Sequence, residues 1–207
     1  MRSLWTMLTL VAFIAPLHAA DPPPVFVDSA SQTPPPPPAD KAQVILIEPI
    51  NKIQGLFPVG IFELNGYQRT LIGVTGSLSK EILLLEPGKH RLASFQVLTN
   101  MHFLDVDVEA GKRYYVLVRF IYGVGFQLRP IRLSGTSDYR MDGPDYPKWQ
   151  STTRYVEKAP GGDDYFAIPK LVKRGDKAYA KAVIEWQKKT DVERAELTLT
   201  PADAAPL

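Results

Sequence analysis

Between Ala42 and Ser134 the chain breaks into short apolar-rich runs separated by turn residues every eight to twelve positions, and that spacing restricts the stretch to an all-β domain. Strands are predicted near 43–49, 58–64, 67–74, 79–85, 90–97, 102–108, 113–121 and 125–133. The run HFLDVDV at 102–108 alternates most cleanly, with Leu104, Val106 and Val108 on one face and Asp105 and Asp107 on the other. One side of that strand meets a core and the other meets water. RYYVLVRF, from Arg113, is apolar on both faces except at its ends. It is predicted to lie near the middle of a sheet, with C-terminal helices as its second cover.

The turns between these runs have mechanisms. Asn65-Gly66 offers the two positive-φ positions of a type I′ hairpin between the second and third strands. Glu86-Pro87-Gly88-Lys89 places proline and glycine at the central positions of a type II turn. Glu109-Ala110-Gly111-Lys112 repeats the arrangement with alanine in place of proline. The likeness between LLEPGKHRL and DVEAGKRYY is local turn chemistry, not a repeat of domain size.

Outside this region the character changes. Residues 1–20, MRSLWTMLTLVAFIAPLHAA, carry Arg2, an apolar run from Leu4 to Leu17, and small residues ahead of Asp21. That order predicts a signal peptide cleaved after Ala20 and a periplasmic or secreted destination, with an uncleaved N-terminal anchor as the alternative. The run is short for a membrane-spanning helix and is interrupted by Pro16. No later stretch is apolar and long enough to span a bilayer, so no stable membrane span is expected after cleavage. Residues 21–41 hold the proline runs Pro22–Pro24 and Pro34–Pro38, which favour extended polyproline II and read as a disordered spacer. A docking strip for a proline-binding partner, anchored at Phe26, is the sharper alternative. The sandwich is expected to occupy residues 42–134, and residues 135–207 to form a polar connector and helical tail. Asp176 is predicted to cap a helix over Lys177–Lys189, with Tyr179, Ala182, Val183 and Trp186 in one apolar stripe packed on the sandwich. Asp191 is predicted to cap a second, short helix.

Composition excludes several chemistries. The chain has no cysteine, hence no disulfide framework, thiolate site, Cys nucleophile or lipid-modified Cys. Without Arg2 of the signal, 23 Lys and Arg face 22 Asp and Glu, and that near-neutral balance calls for neither nucleic acid nor a charged membrane surface. Two histidines remain past the signal, His90 and His102, both at predicted strand starts and read as surface or turn residues. There is no G-x-S-x-G elbow, no H-E-x-x-H and no calcium-loop spacing. Asp105, Asp107 and Glu109 would lie about 7 Å apart on one strand face, where they read as a solvated face or as part of a cation site. Gly123-Val124-Gly125 reads as a hairpin or bulge, and Gly161-Gly162, followed by Asp163-Asp164, as a loop rather than a phosphate cradle. IPKLVKRGDKAYAKAVIEWQKK holds seven Lys or Arg against two acids, which reads as a solvated helix face or as a contact for anionic lipid, wall polymer or nucleic acid. No catalytic, cofactor-binding or metal-ligating residue is assigned.

The strand run VGIFELNGYQRTLIGV, ILLLEPGKHRL, LDVDVEAGKRYYVLVRF and GVGFQLRPI resembles the bacterial domain-of-unknown-function 2846 family over about residues 43–133. More distantly it is similar to the small β-sandwich modules of the PEGA and carboxypeptidase-regulatory type. The matching residues Asn65, Gly66, Pro87, Gly88, His90, Gly111 and Tyr115 have readings as turn formers and core contacts. The resemblance implies an exported envelope β-domain without an established activity. The expected fold is mainly β: an Ig-like antiparallel β-sandwich of about seven or eight strands with C-terminal α-helices. The expected function is a non-enzymatic binding or structural accessory of the cell envelope, with an unknown envelope protein or polymer as partner and no cofactor. An envelope hydrolase acting on a wall polymer through loop carboxylates is one alternative. A small outer-membrane barrel is another.

Overall fold

All eight predicted strands are present in the computed structural model, which describes residues 24–50 and 57–207; the predicted signal, residues 1–20, lies outside the described residues. They are β2 (Ala42–Glu48), β3 (Val59–Asn65), β4 (Gln68–Thr75), β5 (Ser79–Leu85), β6 (Gly88–Phe95), β7 (His102–Val108), β8 (Arg113–Ile121) and β9 (Gly125–Pro130). Three shorter strands join them: β1 (Phe26–Asp28), β10 (Arg154–Lys158) and β11 (Thr198–Leu199). The helices are α1 (Tyr146–Thr152), α2 (Gly162–Ala167), α3 (Pro169–Gln187) and α4 (Asp191–Ala195). One sheet runs β1-β10-β5-β2-β8-β9 and the other β11-β7-β6-β3-β4. Both are mixed rather than purely antiparallel, because β2 pairs in parallel with β8, β10 with β5, and β11 with β7. Each sheet keeps two edge strands, so the strands form a sandwich and not the barrel of the third reading.

The alternation of β7 does what its pattern dictates. Leu104, Val106 and Val108 enter the interlayer core with Val44, Leu46, Ile61, Leu92, Val116, Val118, Phe126 and Leu128. β2 reads as continuous apolar sequence because its other face is also covered. Ile45 and Ile47, with Tyr115 and Leu117 of β8, pack beneath Tyr139, Met141, Tyr146 and Trp149. Thus β8 is covered twice, as predicted, but the second cover is the 135–153 connector with α1, not the C-terminal helices. The connector is polar overall, yet those four large side chains bury enough apolar surface to hold it down. Helix α3 instead covers the outer face of the other sheet, setting Ala182 and Trp186 on Ala93, Phe95 and Phe103.

The turns refine the sequence reading. The β3–β4 hairpin has a two-residue loop, Gly66-Tyr67, between the paired Asn65 and Gln68. Only Gly66 has positive φ, at 60°, so glycine occupies the first loop position, the pattern of a type II′ turn rather than I′. The two similar turns at Gly88 and Gly111, both at positive φ, are not hairpins. They are corners that carry the chain between sheets, from β5 to β6 and from β7 back to β8. Lys41 ties the corners together: its carbonyl accepts from Gly111 N–H at 2.9 Å and its ammonium pairs with Glu86.

The division at residues 41 and 134 is corrected. The proline-rich segment is not a free spacer over its described length, because three β1 residues pair with β10 and supply the first sheet with an edge. Gln32 brackets Tyr155, accepting from its N–H at 2.8 Å and donating to its carbonyl at 3.0 Å. Proline lacks a donor but keeps its carbonyl, and that of Pro35 accepts from Arg113 and Gln43. The tail, residues 135–207, likewise contributes β10 to one sheet and β11 to the other. Helix α3 begins at Pro169, whose missing N–H costs nothing at the first helical position, so Asp176 lies inside the helix and pairs with Arg69 instead of capping. The cap of α4 is Thr190, in a reciprocal capping box with Glu193, and not Asp191.

Candidate functional site

Several side chains singled out in the sequence meet over the outer face of the second sheet, at the end that carries the β3–β4 hairpin. Here a groove of 1110 Å³ is floored by β6 and β7 and walled by the hairpin and by α3. Its floor follows from register. Lys89 faces Asp107 and Arg91 faces Asp105 on antiparallel neighbours, the cross-strand arrangement in which opposite charges attract. Arg91 grips Asp105 with both arms of its fork, Nε to Oδ1 at 2.6 Å and Nη2 to Oδ2 at 3.0 Å. The same guanidinium lies 5.0 Å from the centre of the Trp186 ring and 5.8 Å from that of Phe103. The Asp105 hydrogen bond raises the Arg91 pKa further, so the guanidinium stays charged.

The wall is equally engaged. Tyr179 of α3 donates its hydroxyl to the Gly66 carbonyl at 2.8 Å, and Arg69 of β4 stacks on the Tyr179 ring at 5.7 Å while pairing with Asp176. His90 has acceptors at both ring nitrogens, Glu63 at Nδ1, 2.5 Å, and the Glu86 carbonyl at Nε2, 2.8 Å. It is therefore a tied residue at the mouth of the sandwich, held between β3 and the Gly88 corner. Lys89 and Asp107 differ from all of these. Among the described residues neither enters an ion pair, so the floor offers one free ammonium and one carboxylate, with Gln68, Thr70, Gln187, Thr198 and Thr200 as neutral polar groups around them.

The three acidic residues of the sequence reading are thus separated. Asp105 is bound by Arg91, Asp107 faces the groove, and Glu109 lies past the strand end, where its N–H donates to the Tyr114 hydroxyl at 3.0 Å. No group of three or more metal-ligating side chains occurs among the described residues. His102 is remote from His90 and half-buried, its Nε2 on the Val124 carbonyl at 3.1 Å, and burial lowers its pKa. Gly123 and Gly125 form the β8–β9 hairpin turn, as their sequence implies; Gly161 lies in a loop at positive φ, but Gly162 opens α2 instead of continuing that loop.

Two titratable groups were missed by sequence reasoning. Glu48 of β2 and Glu81 of β5 both point into the space between the sheets. Thr75 donates to Glu48 Oε2 at 2.7 Å, and Val74 N–H, on the edge strand β4, donates to Glu81. Burial pushes each carboxyl up to about 8, opposed by those hydrogen bonds and, for Glu81, by the charge of Lys158. The signal was parity: Glu48 continues the inward series Val44, Leu46. These carboxyls lie away from the groove and bind the two sheets at their open side.

Neither protein-family models nor curated proteins match the chain. Fold and groove together define a mixed-sheet β-sandwich with a helix-walled polar groove on one outer face.

Proposed function

We propose that the chain is an exported protein of the cell envelope, a non-enzymatic relative of the domain-of-unknown-function 2846 sandwiches, which binds a polar envelope polymer or protein in the groove over the second sheet. The observation that carries this reading is the free Lys89–Asp107 pair on the groove floor. Every other charged group there serves the fold, whereas these two face solvent across neighbouring strands with no partner of their own among the described residues. A ligand presenting both donors and acceptors would satisfy them. Glu63 and Asp105 are held by His90 and Arg91, which favours binding over acid–base chemistry by groove carboxylates. The signal-like N-terminus and the family resemblance support export.

The test is site-specific photo-crosslinking from position 89 in cells of a native or related envelope, with N-terminal sequencing of the recovered chain. A start at Asp21 and a discrete adduct lost in Asp107→Asn are expected. Retention of the first 20 residues would replace the cleaved signal with the uncleaved anchor, and recovery of the chain from the cytoplasm would sink the export reading. Hydrolysis of purified wall material by the protein, without any adduct, would replace binding with catalysis.

A further inference from the structure

The end of the sandwich opposite the groove combines two features that bear no relation to the groove's chemistry. Phe57, two residues before β3, the β6–β7 loop and the β8–β9 turn meet there: Asn100 Nδ2 donates to the Val124 carbonyl at 3.3 Å, and Gly125 packs directly against Thr99. At their tips Leu98 is 62% exposed and Tyr122 91%, with Phe57 and Val124 also open to solvent. Phe57, Leu98, Phe120 and Val124 line one concavity of 530 Å³. Loop tips ordinarily carry polar residues, so a group of large apolar side chains on adjoining tips marks a surface that leaves water in use.

Charge supplies the second feature. The three segments, FPVG at 57–60, QVLTNM at 96–101 and IYGVG at 121–125, contain no Asp or Glu. Alongside them α3 presents Arg174, Lys177 and Lys181, at a spacing that keeps all three on one flank of the helix. Arg174 lines the same concavity as Leu98 and Val124, and Lys177 and Lys181 border the neighbouring one with Thr99 and Asn100. Among the described residues none of the three forms an ion pair; Lys181 only donates to Asn100 at 3.2 Å. The two acids of α3 are already engaged, Asp176 by Arg69 and Glu185 by Lys188.

Acid-free apolar tips flanked by unpaired cations are what a peripheral bilayer contact requires: the tips enter the headgroup–acyl boundary while the cations meet lipid phosphates. We propose that this end of the molecule docks on a bilayer containing anionic phospholipid, with Leu98 and Tyr122 inserted and Arg174, Lys177 and Lys181 on the headgroups. No helix among the described residues is long and apolar enough to cross a membrane, and the contact needs none. It would leave the groove, at the other end, facing away from the lipid.

Vesicle flotation tests this with the chain from Asp21 onward, which retains every described residue. Vesicles of phosphatidylglycerol and phosphatidylethanolamine should carry the protein and vesicles of phosphatidylcholine should not, and binding should fall from about 0.1 M to about 1 M NaCl. Leu98→Ser with Tyr122→Ser should weaken partitioning about tenfold or more. Arg174→Gln, Lys177→Gln and Lys181→Gln should each weaken it about fivefold and together remove the anionic preference, with an unchanged Tm. Absence of flotation on the anionic vesicles overturns the proposal. So does binding indifferent to both sets of substitutions, or a change in self-association alone, which would assign the surface to a second copy of the chain.

Discussion

Thr75, on the edge strand of one sheet, donates a hydrogen bond of 2.7 Å to Glu48 Oε2 on the facing sheet, while Glu48 Oε1 is buried without a partner among the described residues. A carboxyl so placed is easier to bury with its proton than without it, which is why its pKa stands at about 8 against an ordinary 4.5. Glu81, hydrogen-bonded to Val74, follows the same logic at about 8. Burial therefore favours the protonated form of both carboxyls, against the hydrogen bonds that tie them across the sheets.

The first prediction is a stability that falls as pH rises. Below about 4.5 folded and unfolded chains both hold these protons, and the contribution is fully present. Between about 4.5 and about 8 the unfolded chain gives them up first, so it binds fewer protons than the folded chain and stability declines. Glu48→Gln, which cannot ionise and keeps an acceptor for Thr75, is expected to raise Tm at pH 8, leave it nearly unchanged at pH 4 and flatten the slope between. Thermal unfolding followed by circular dichroism across that range measures it. An equal Tm change at both ends would mean that the substitution acts through packing.

The Arg91–Asp105 fork gives a second prediction. Its side chains are 41% and 32% exposed, so solvent screens much of the attraction, and a coupling of about 1 kcal/mol is expected from a double-mutant cycle in urea. Arg91→Ala should cost more than Asp105→Ala, because it also strips the cover from Trp186. Arg91→Lys should recover little of the loss, since an ammonium cannot reproduce the planar fork.

The third prediction concerns the N-terminal strap. Phe26 packs so closely on Gly76 that a Cβ there would lie 2.4 Å from its ring. Phe26→Ala is expected to release β1 without unfolding the sandwich, which hydrogen exchange can resolve. The amides of Ser29 and Ala159, bonded to Tyr155 O at 2.9 Å and Val25 O at 3.0 Å, should exchange about tenfold faster, while those of β2 and β8 stay protected. Uniform loss of protection would show that the strap is integral to the global fold.

How far the sequence disclosed this structure follows from how local each signal was. The eight longer strands carry their own period, and in β7 three inward valine and leucine side chains alternate with Phe103, Asp105 and Asp107. The strands β1, β10 and β11 have three, five and two residues, too few to show a period. They are strands because β5 and β7 had an edge to offer, a fact that exists only after the chain has folded. The connector hid its role in the same way: Tyr139, Met141, Tyr146 and Trp149 stand among polar residues without helical or strand spacing, and only the exposed outer face of β2 and β8 makes them a cover. Of the groove, the acidic face of β7 was legible, but its division into bound Asp105 and free Asp107 depends on pairing with β6, which no single run of sequence reveals. The corrected caps share one cause, since Thr190 and Pro169 satisfied the helix starts one or more residues before the acids expected to do so.

The last prediction tests the tie that holds the C-terminal tail. Arg132, just beyond β9, donates to the carbonyls of Thr198 and Ala195 at 2.9 and 2.8 Å and to Asp203 at 2.6 Å. It thus caps the end of α4 and fixes the tail on which β11 depends. Asp203 is itself only 5% exposed, and its remaining acceptor contacts are with Thr200. Arg132→Ala leaves that carboxylate buried without its cation and is expected to cost about 3 kcal/mol in urea unfolding. Adding Asp203→Ala should restore part of the loss, because the uncompensated charge goes with it. If the double variant is as unstable as the sum of the two single ones, the guanidinium's carbonyl contacts, and not the ion pair, hold the tail in place.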